Sequence, residues 1–552
     1  MRIVGLYNWH DGGYCVLEDG KIVEHVEIER YTRIKESGGD SLQYFIDHFL
    51  NKRSLSLDDV DYWVSPYPDF NLSKEYNTFD IIPKEKISFF PHHFCHAAHA
   101  YHSSNFDNAY IVTLDSAGMD ENDRSVSTCS YIAQKNQIVK TGDILNDYFS
   151  LGNLWGRVTR FIFKLSAGYP RGHQAGSVMA MAALGDHTKY YNDFMTMATT
   201  AFQAVKVMPP GYKRGVYVPP EEDVIHPYLD KYRKIAEESE QEKFNMAASL
   251  QKVTEELIFN VTRSAILEAN KLGFESKNIC FAGGVSLNSV AMAKVLKEMK
   301  YNIENCFIPP VPYDGGLTIG ACQHFWYHVL DNPKTGDFVS PYLGEEYSKE
   351  DIENSILERS GELHVRRDFS IDSCVDLLVD NKIVSVFQGK SESGRRALGN
   401  RSILANPANP EMKELINKKV KHRQWYRPFA PTVLEEHGDE WFEDFFPSPY
   451  MGFVFKFKDD SLGKVPAVEH VDKTARIQTV NLDQNKNYYE LIKIFYEKTG
   501  ISMILNTSFN DREPICETPG HAIDCFLRTD IDYLYFYEYR ILVEKSSESL
   551  SK

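Results

Sequence analysis

Two copies of one strand-and-turn pattern, about a hundred residues apart, limit what this chain can build. In the first copy, residues 3–8, 14–17 and 21–27 alternate as short strands, joined by a His10-Asp11-Gly12-Gly13 turn and an Asp19-Gly20 hairpin signal. In the second, an apolar strand over 110–114 ends at Asp115-Ser116-Ala117-Gly118, and strands over 127–133 and 138–141 form a hairpin around Lys135-Asn136. Helical periodicity follows over 246–272, and again over 289–300 after an Ala282-Gly283-Gly284-Val285 turn. A duplicated βββ unit followed by helices predicts an α/β architecture of two related lobes with a ligand cleft between them.

The 552 residues exceed what one hydrophobic core organises, so two large domains are expected. The stretch 331–347, rich in Pro, Gly and acidic residues, reads as a linker and sets the boundary near residue 340, giving domains at 1–340 and 341–552. A net charge of −17 argues against nonspecific binding to nucleic acid or to an anionic membrane. Nine cysteines without a Cys-x-x-Cys pair do not form a disulfide framework or a thiolate zinc site, which fits a reducing cytoplasm. The N-terminus opens directly as a strand rather than as a signal peptide, and no apolar run reaches membrane-spanning length.

Chemistry concentrates in a few segments. His92-His93-Phe94-Cys95-His96-Ala97-Ala98-His99-Ala100 is alanine-rich and reads as a helix, which puts His92 and His96 one turn apart on one face. Asp115, at a predicted strand end, and Asp314, in Pro312-Tyr313-Asp314-Gly315-Gly316, add two carboxylates. Two imidazoles and two carboxylates suit a borderline cation such as Fe²⁺, Mn²⁺ or Zn²⁺. The Gly283-Gly284 turn, running on to Asn288, opens a helix whose backbone N–H groups can face a phosphate or ribose. Gly172-His173-Gln174-Ala175-Gly176-Ser177 reads equally as a ligand loop or as structure.

The second domain carries the run from Gly394 to Leu404, in which Arg395, Arg396 and Arg401 crowd between glycines just after an apolar strand, and this reads as an anion site. Lys421, Arg423 and Arg427 come next in Lys421-His422-Arg423-Gln424-Trp425-Tyr426-Arg427-Pro428, then Arg476 after His470, then Asn506-Thr507-Ser508-Phe509-Asn510. Four such segments in one domain of an acidic protein predict a polyphosphate pocket.

With these motifs the chain resembles the NodU/CmcH-type O-carbamoyltransferases over nearly its whole length. The resemblance implies an N-terminal domain of the actin/sugar-kinase (ASKHA) fold and a C-terminal YrdC-like α/β domain. It implies that the second domain joins carbamoyl phosphate and ATP, with Mg²⁺, into carbamoyladenylate, the carbamoyl oxygen attacking the α-phosphorus as pyrophosphate leaves. The first would pass the carbamoyl group to a hydroxyl of a small-molecule natural product or sugar. Carried over by position, His92, His96, Asp115 and Asp314 would hold a metal, iron first with manganese or zinc as alternatives. Arg396, Lys421, Arg427, Arg476, Asn506, Ser508 and Asn510 would bind ATP and carbamoyl phosphate, with Arg396, Lys421 and Arg427 acting in the chemistry. Gly283, Gly284 and Asn288 would hold the adenylate in the first domain, and His10 or Asp11 is the expected base. Ala175-Gly176-Ser177 stands where the family usually has Glu-Gly-Lys, Arg395 replaces a usual proline, and Lys473 replaces a common glycine. The alternatives are a small-molecule kinase on the same first-domain fold and a regulatory protein that binds nucleotide and metal without turnover. A homodimer is the default expectation.

Overall fold

A computed structural model describes residues 1–67, 79–122, 124–145, 149–165, 174–199, 227–334 and 340–546. The chain divides into two compact units, Met1–Val339 and Ser340–Lys552. Among the described residues no helix is long and apolar enough to cross a membrane.

The first unit contains two five-stranded sheets of identical topology. One has the order β3-β2-β1-β4-β5, from β1 (Arg2–Tyr7), β2 (Gly13–Glu18), β3 (Lys21–Glu27), β4 (Tyr62–Pro66) and β5 (Ile87–Phe90). The other has the order β8-β7-β6-β9-β10, from β6 (Asn108–Met119), β7 (Ser125–Gln134), β8 (Gln137–Leu145), β9 (Asn278–Ala282) and β10 (Asn305–Phe307). In each, three antiparallel strands are extended by two parallel ones. Leu6 lies opposite Tyr14 and Val4 opposite Trp63 in the first sheet, as Val112 lies opposite Ser130 and Phe281 in the second. The duplicated βββ pattern is therefore present as two copies of one fold.

The central strand β1 is buried on both faces, which is why it reads as a continuous apolar run after Arg2. Val4, Leu6, Tyr14, Val16, Phe45 and Trp63 form one core, and Ala97, Ala98, Ala100, Tyr101, Ile111, Tyr131 and Cys280 the other. The alanines are on the helix His92–His102, and their small side chains let its backbone lie close to the second sheet. The helix with 246–272 periodicity begins earlier, at Glu240, because Ser239 caps it by accepting from the Glu242 N–H.

The second unit is built on a mixed eight-stranded sheet, in the order β11-β20-β19-β12-β13-β18-β14-β17. Its strands are β11 (Leu363–Arg366), β12 (Val384–Phe387), β13 (Arg401–Ala405), β14 (Ala430–Leu434), β17 (Gln478–Val480), β18 (Met503–Ser508), β19 (Tyr533–Phe536) and β20 (Ile541–Lys545). A two-stranded ribbon, β15 (Val454–Lys456) with β16 (Thr474–Arg476), stands apart from it. The helices Ile371–Val379 and Lys486–Thr499 bury Val375, Leu378, Leu491, Ile492 and Phe495 against Val384, Leu404, Ile504 and Leu542 of the sheet. Truncating a residue such as Phe495 to alanine is expected to cost ~3–5 kcal/mol. The arginine-rich run is thus the connection between two central strands, β12 and β13.

Candidate functional site

Four ligand-bearing side chains converge in the first unit, supplied by both halves of the repeat. His92 and His96 lie one turn apart on their helix, with ring centroids 4.8 Å apart. Asp115 is expected at a strand end but lies inside β6, where the register shifts between Leu114 and Gly118 and residues 115–117 bulge out of the pairing. The bulge aims its carboxylate at His96 Nε2, 2.9 Å away. Asp314 starts the short turn Asp314–Gly316, and its Oδ1 lies 3.6 Å from His92 Nε2 and 3.5 Å from His96 Nε2. All four residues are buried, and their ligand atoms lie within 4.8 Å of one another.

The first repeat fixes this arrangement. His25 on β3 contacts the Gly315 carbonyl at 2.8 Å, the Tyr313 hydroxyl donates to Glu27, and the Tyr7 hydroxyl reaches Asp314 Oδ2 at 3.4 Å. Burial alone would lower the pKa of His96, but its hydrogen bonds with Asp115 and Asp314 outweigh that and push it up to about 9. Asp115 is held well below the usual carboxylate range, because the imidazoles of His92 and His96 overcome the opposing effect of burial. His92 Nε2 is buried without a hydrogen-bond partner although two carboxylates lie 3.6 Å away. An orphaned imidazole nitrogen facing two carboxylates is what a cation between them would relieve, so the residues fit a divalent metal of borderline softness.

The other first-unit residues fall beside this set. His10 Nδ1 lies 3.1 Å from Asp11 Oδ2, and His10 Nε2 lies 3.6 Å from Asp314 Oδ2, so both expected base residues border the carboxylate cluster. Gly283 has φ +87°, its N–H donates to the Pro312 carbonyl, and a Cβ there would lie 2.2 Å from the Leu114 carbonyl oxygen. A Cβ on Gly284 would be 3.5 Å from Asp115 Oδ1, which puts this turn against the same bulge. Asn288 Oδ1 caps the helix Ser289–Met299 and accepts from Gln251, and its Nδ2 donates back to Gln251, so the side chain is committed to the fold. Residues 175–177 begin the helix Ala175–Ala182, whereas Gly172 and His173 lie outside the described residues.

In the second unit the predicted cations separate into two kinds. Burial, and then the charges of Arg396, Arg427 and Arg423, hold the Arg476 guanidinium well below the ordinary arginine value. Burial and Arg427 lower Arg423 in the same way, and burial lowers Arg427. Among the described residues no carboxylate pairs with Arg423, Arg427 or Arg476, and Arg476 Nε is buried without a hydrogen-bond partner. Arginine does not give up its proton in proteins, so such a cluster is an unbalanced positive site. Beside Arg476, Lys473 takes φ +61°, the left-handed region, which accounts for glycine being common there.

Lys421, Ser508 and Asn510 form a second knot. Lys421 Nζ donates to the Asn510 carbonyl at 2.8 Å and to Asn510 Oδ1 at 2.7 Å, and reaches Ser508 Oγ at 3.3 Å. Asn506 gives its Nδ2 to the Ala397 carbonyl, Thr432 Oγ1 and Gln478 Oε1, so its amide N–H groups are engaged within the unit. Arg401 is fully buried, stacks 3.5 Å from the centroid of Phe387, and donates to the carbonyls of Gln388, Gly389, Asn400 and Glu517. It builds the loop and does not belong to the anion site. Arg423, expected with Lys421 and Arg427 in the polyphosphate pocket, donates its Nε to Asn417 Oδ1 at 2.6 Å and a terminal N–H to the Pro428 carbonyl at 3.3 Å and lies over Phe429, so its guanidinium is held by the fold beside Arg427.

The chain is an α/β protein with a buried cluster of two histidines and two aspartates in one unit and buried arginines in the other. It belongs to the carbamoyltransferase family and is an enzyme of that type. The carbamoyltransferase N-terminus model matches residues 2–78 and 71–323, and the carbamoyltransferase C-terminus model matches residues 375–544. The chain is 30% identical to the nodulation protein NolNO of Sinorhizobium fredii, over 98% of this chain and 80% of that one. It is 31% identical to the nodulation protein NolO of Bradyrhizobium diazoefficiens, over 83% and 79%. With an uncharacterized protein of Synechocystis it shares 30% identity over 95% and 94%.

Proposed function

We propose that the chain is an ATP-dependent O-carbamoyltransferase that activates carbamoyl phosphate as carbamoyladenylate in residues 341–552 and transfers the carbamoyl group in residues 1–340. Family membership supports carbamoyl transfer. The observation that carries the ATP-dependent step is the buried pair Arg427 and Arg476, which no carboxylate pairs with among the described residues and whose charges a polyphosphate would balance. The repeated sheet topology supports an actin/sugar-kinase-type first unit, and the mixed sheet is compatible with a YrdC-like second one.

Atom balance sets the reaction. Carbamoyl phosphate, Mg²⁺-bound ATP, one water and an alcohol give the carbamate ester, AMP, pyrophosphate and phosphate. Arg396, Arg427 and Arg476 neutralise the phosphates while a carbamate oxygen attacks the α-phosphorus, and Lys421 with Ser508 and Asn510 holds the turn at the pocket edge. In the first unit, the backbone at Gly283 and Gly284 receives the adenylate beside Asp115. A divalent metal held by His92, His96, Asp115 and Asp314, iron first with manganese or zinc as alternatives, would supply Lewis-acid polarisation of the carbonyl. With His10 Nδ1–H donating to Asp11 Oδ2, Nε2 carries the lone pair that takes the hydroxyl proton.

The test is product analysis. AMP and pyrophosphate are expected only when carbamoyl phosphate is present, and Arg427→Ala is expected to abolish their release. Production of ADP would overturn the reading in favour of a kinase. Mass spectrometry of candidate natural products and sugars incubated with both co-substrates would identify the acceptor by a carbamoyl mass increase.

A further inference from the structure

The connection between β12 and β13 is clamped by one buried carboxylate. Glu392 Oε1 accepts from the backbone N–H groups of Leu398 at 2.7 Å, Asn400 at 2.9 Å and Arg401 at 3.1 Å. The Gly399 N–H between them donates to Ser402 Oγ at 3.0 Å. The carbonyls are bound from the other side. Asn506 donates to Ala397, Tyr342 Oη and Gln478 Nε2 to Leu398 at 2.8 and 2.9 Å, and Gln388 Nε2 to Gly399 at 3.0 Å. From Leu398 to Arg401, every backbone polar group therefore has a partner within the unit.

Such a clamp has a specific consequence for the arginine just outside it. Arg396 lies two residues before Leu398, between Gly394 at φ +95° and Gly399 at φ +116°, left-handed backbone that glycine adopts readily. The charge of Arg396 acts on Arg476, so the two lie close. The segment immediately after Arg396 is fixed, and its N–H side hangs largely on Glu392. A carboxylate collecting three N–H groups holds them more tightly than a neutral acceptor of the same shape.

We propose that Glu392 is a positioning residue of the arginine pocket: by gathering the N–H groups of Leu398, Asn400 and Arg401 it keeps Arg396 within the cation cluster before any phosphate arrives. The proposal rests on the reading that Arg396 binds polyphosphate. Glu392 touches no substrate in this role and acts through Arg396 alone.

The experiment is a double-mutant cycle on the full chain, with inorganic pyrophosphate as the probe and calorimetric affinity as the readout. Glu392→Gln is expected to weaken pyrophosphate binding at least tenfold, comparably with Arg396→Ala. The double variant is expected to bind within twofold of Arg396→Ala alone, since Glu392 has nothing left to position. Wild-type affinity in Glu392→Gln overturns the proposal. So does a double variant weakened by the product of the two single factors, because that is a general structural loss. If Glu392→Gln does not fold, Tyr342→Phe decides. It removes the hydroxyl tether on the Leu398 carbonyl, and several-fold weakening is expected only while Arg396 is present. Absence of pyrophosphate binding by wild type, or undiminished binding by Arg396→Ala, would instead remove the polyphosphate reading, and the positioning role with it.

Discussion

Replacing Arg476 by methionine is expected to make the unliganded enzyme more stable and its activating site inactive. Arg476 feels three like charges, from Arg396, Arg427 and Arg423, and no carboxylate pairs with Arg476 itself among the described residues. A like-charge pair ~6 Å apart is repelled by about 3 kcal/mol at an effective dielectric of ~20. Water at the pocket edge and the packing of the arginine stem against its neighbours reduce the gain from removing it, leaving a net stabilisation on the order of 2 kcal/mol. For a unit of this size that corresponds to a rise of roughly 4–8 °C in melting temperature. On the other side, each charge-assisted hydrogen bond to a phosphate is worth ~1.5–3 kcal/mol, so loss of a bidentate pair lowers pyrophosphate release by about two to four orders of magnitude. Calorimetry of the unliganded variant and a coupled pyrophosphate assay read the two effects. A variant that melts below wild type, or that keeps more than a tenth of the release rate, would refute the claim that these arginines are held in tension for an anion.

Three further outcomes are expected. His96→Ala should abolish carbamoyl transfer while pyrophosphate release continues, and prolonged treatment with a chelator, followed by its removal and assay with added Mg²⁺, should have the same selective effect; equal loss of both activities would count against separate sites. Gly283→Ala should destabilise the first unit by at least ~3 kcal/mol, since the new Cβ meets the Leu114 carbonyl at a positive φ, and scanning calorimetry would read the drop. His470 should make the second unit acid-sensitive: burial lowers its pKa from 6.5 to about 4, so between these values the unfolded chain binds the extra proton and stability falls as pH falls. His470→Gln is expected to flatten that part of a stability-versus-pH curve measured by denaturant unfolding.

Legibility in the sequence tracks the range of the interactions involved. The paired βββ units are visible because short strand-length runs and turn pairs such as Asp19-Gly20 and Lys135-Asn136 are written within a few residues, and the His92–His96 pair because helical spacing is equally local. The bulge at Asp115 is not, since a register shift exists only relative to the partner strand. Asn288 and Asn506 show the same limit on the ligand side. A short amide at a strand end or helix start looks identical in sequence whether its donors meet a phosphate or, as for Asn506, a carbonyl 109 positions away. Arg401 and Arg476 sharpen this into a criterion. Both are arginines bordering predicted strands in basic segments, yet Arg401 spends its guanidinium on four backbone carbonyls whereas Arg476 has its Nε buried without a partner among other cations. A buried charge whose partners lie within the chain serves the fold, and one surrounded by like charges requires something from outside it. By that measure the arginine-rich run is scaffold from Leu398 to Leu404, and Arg476 marks the pocket.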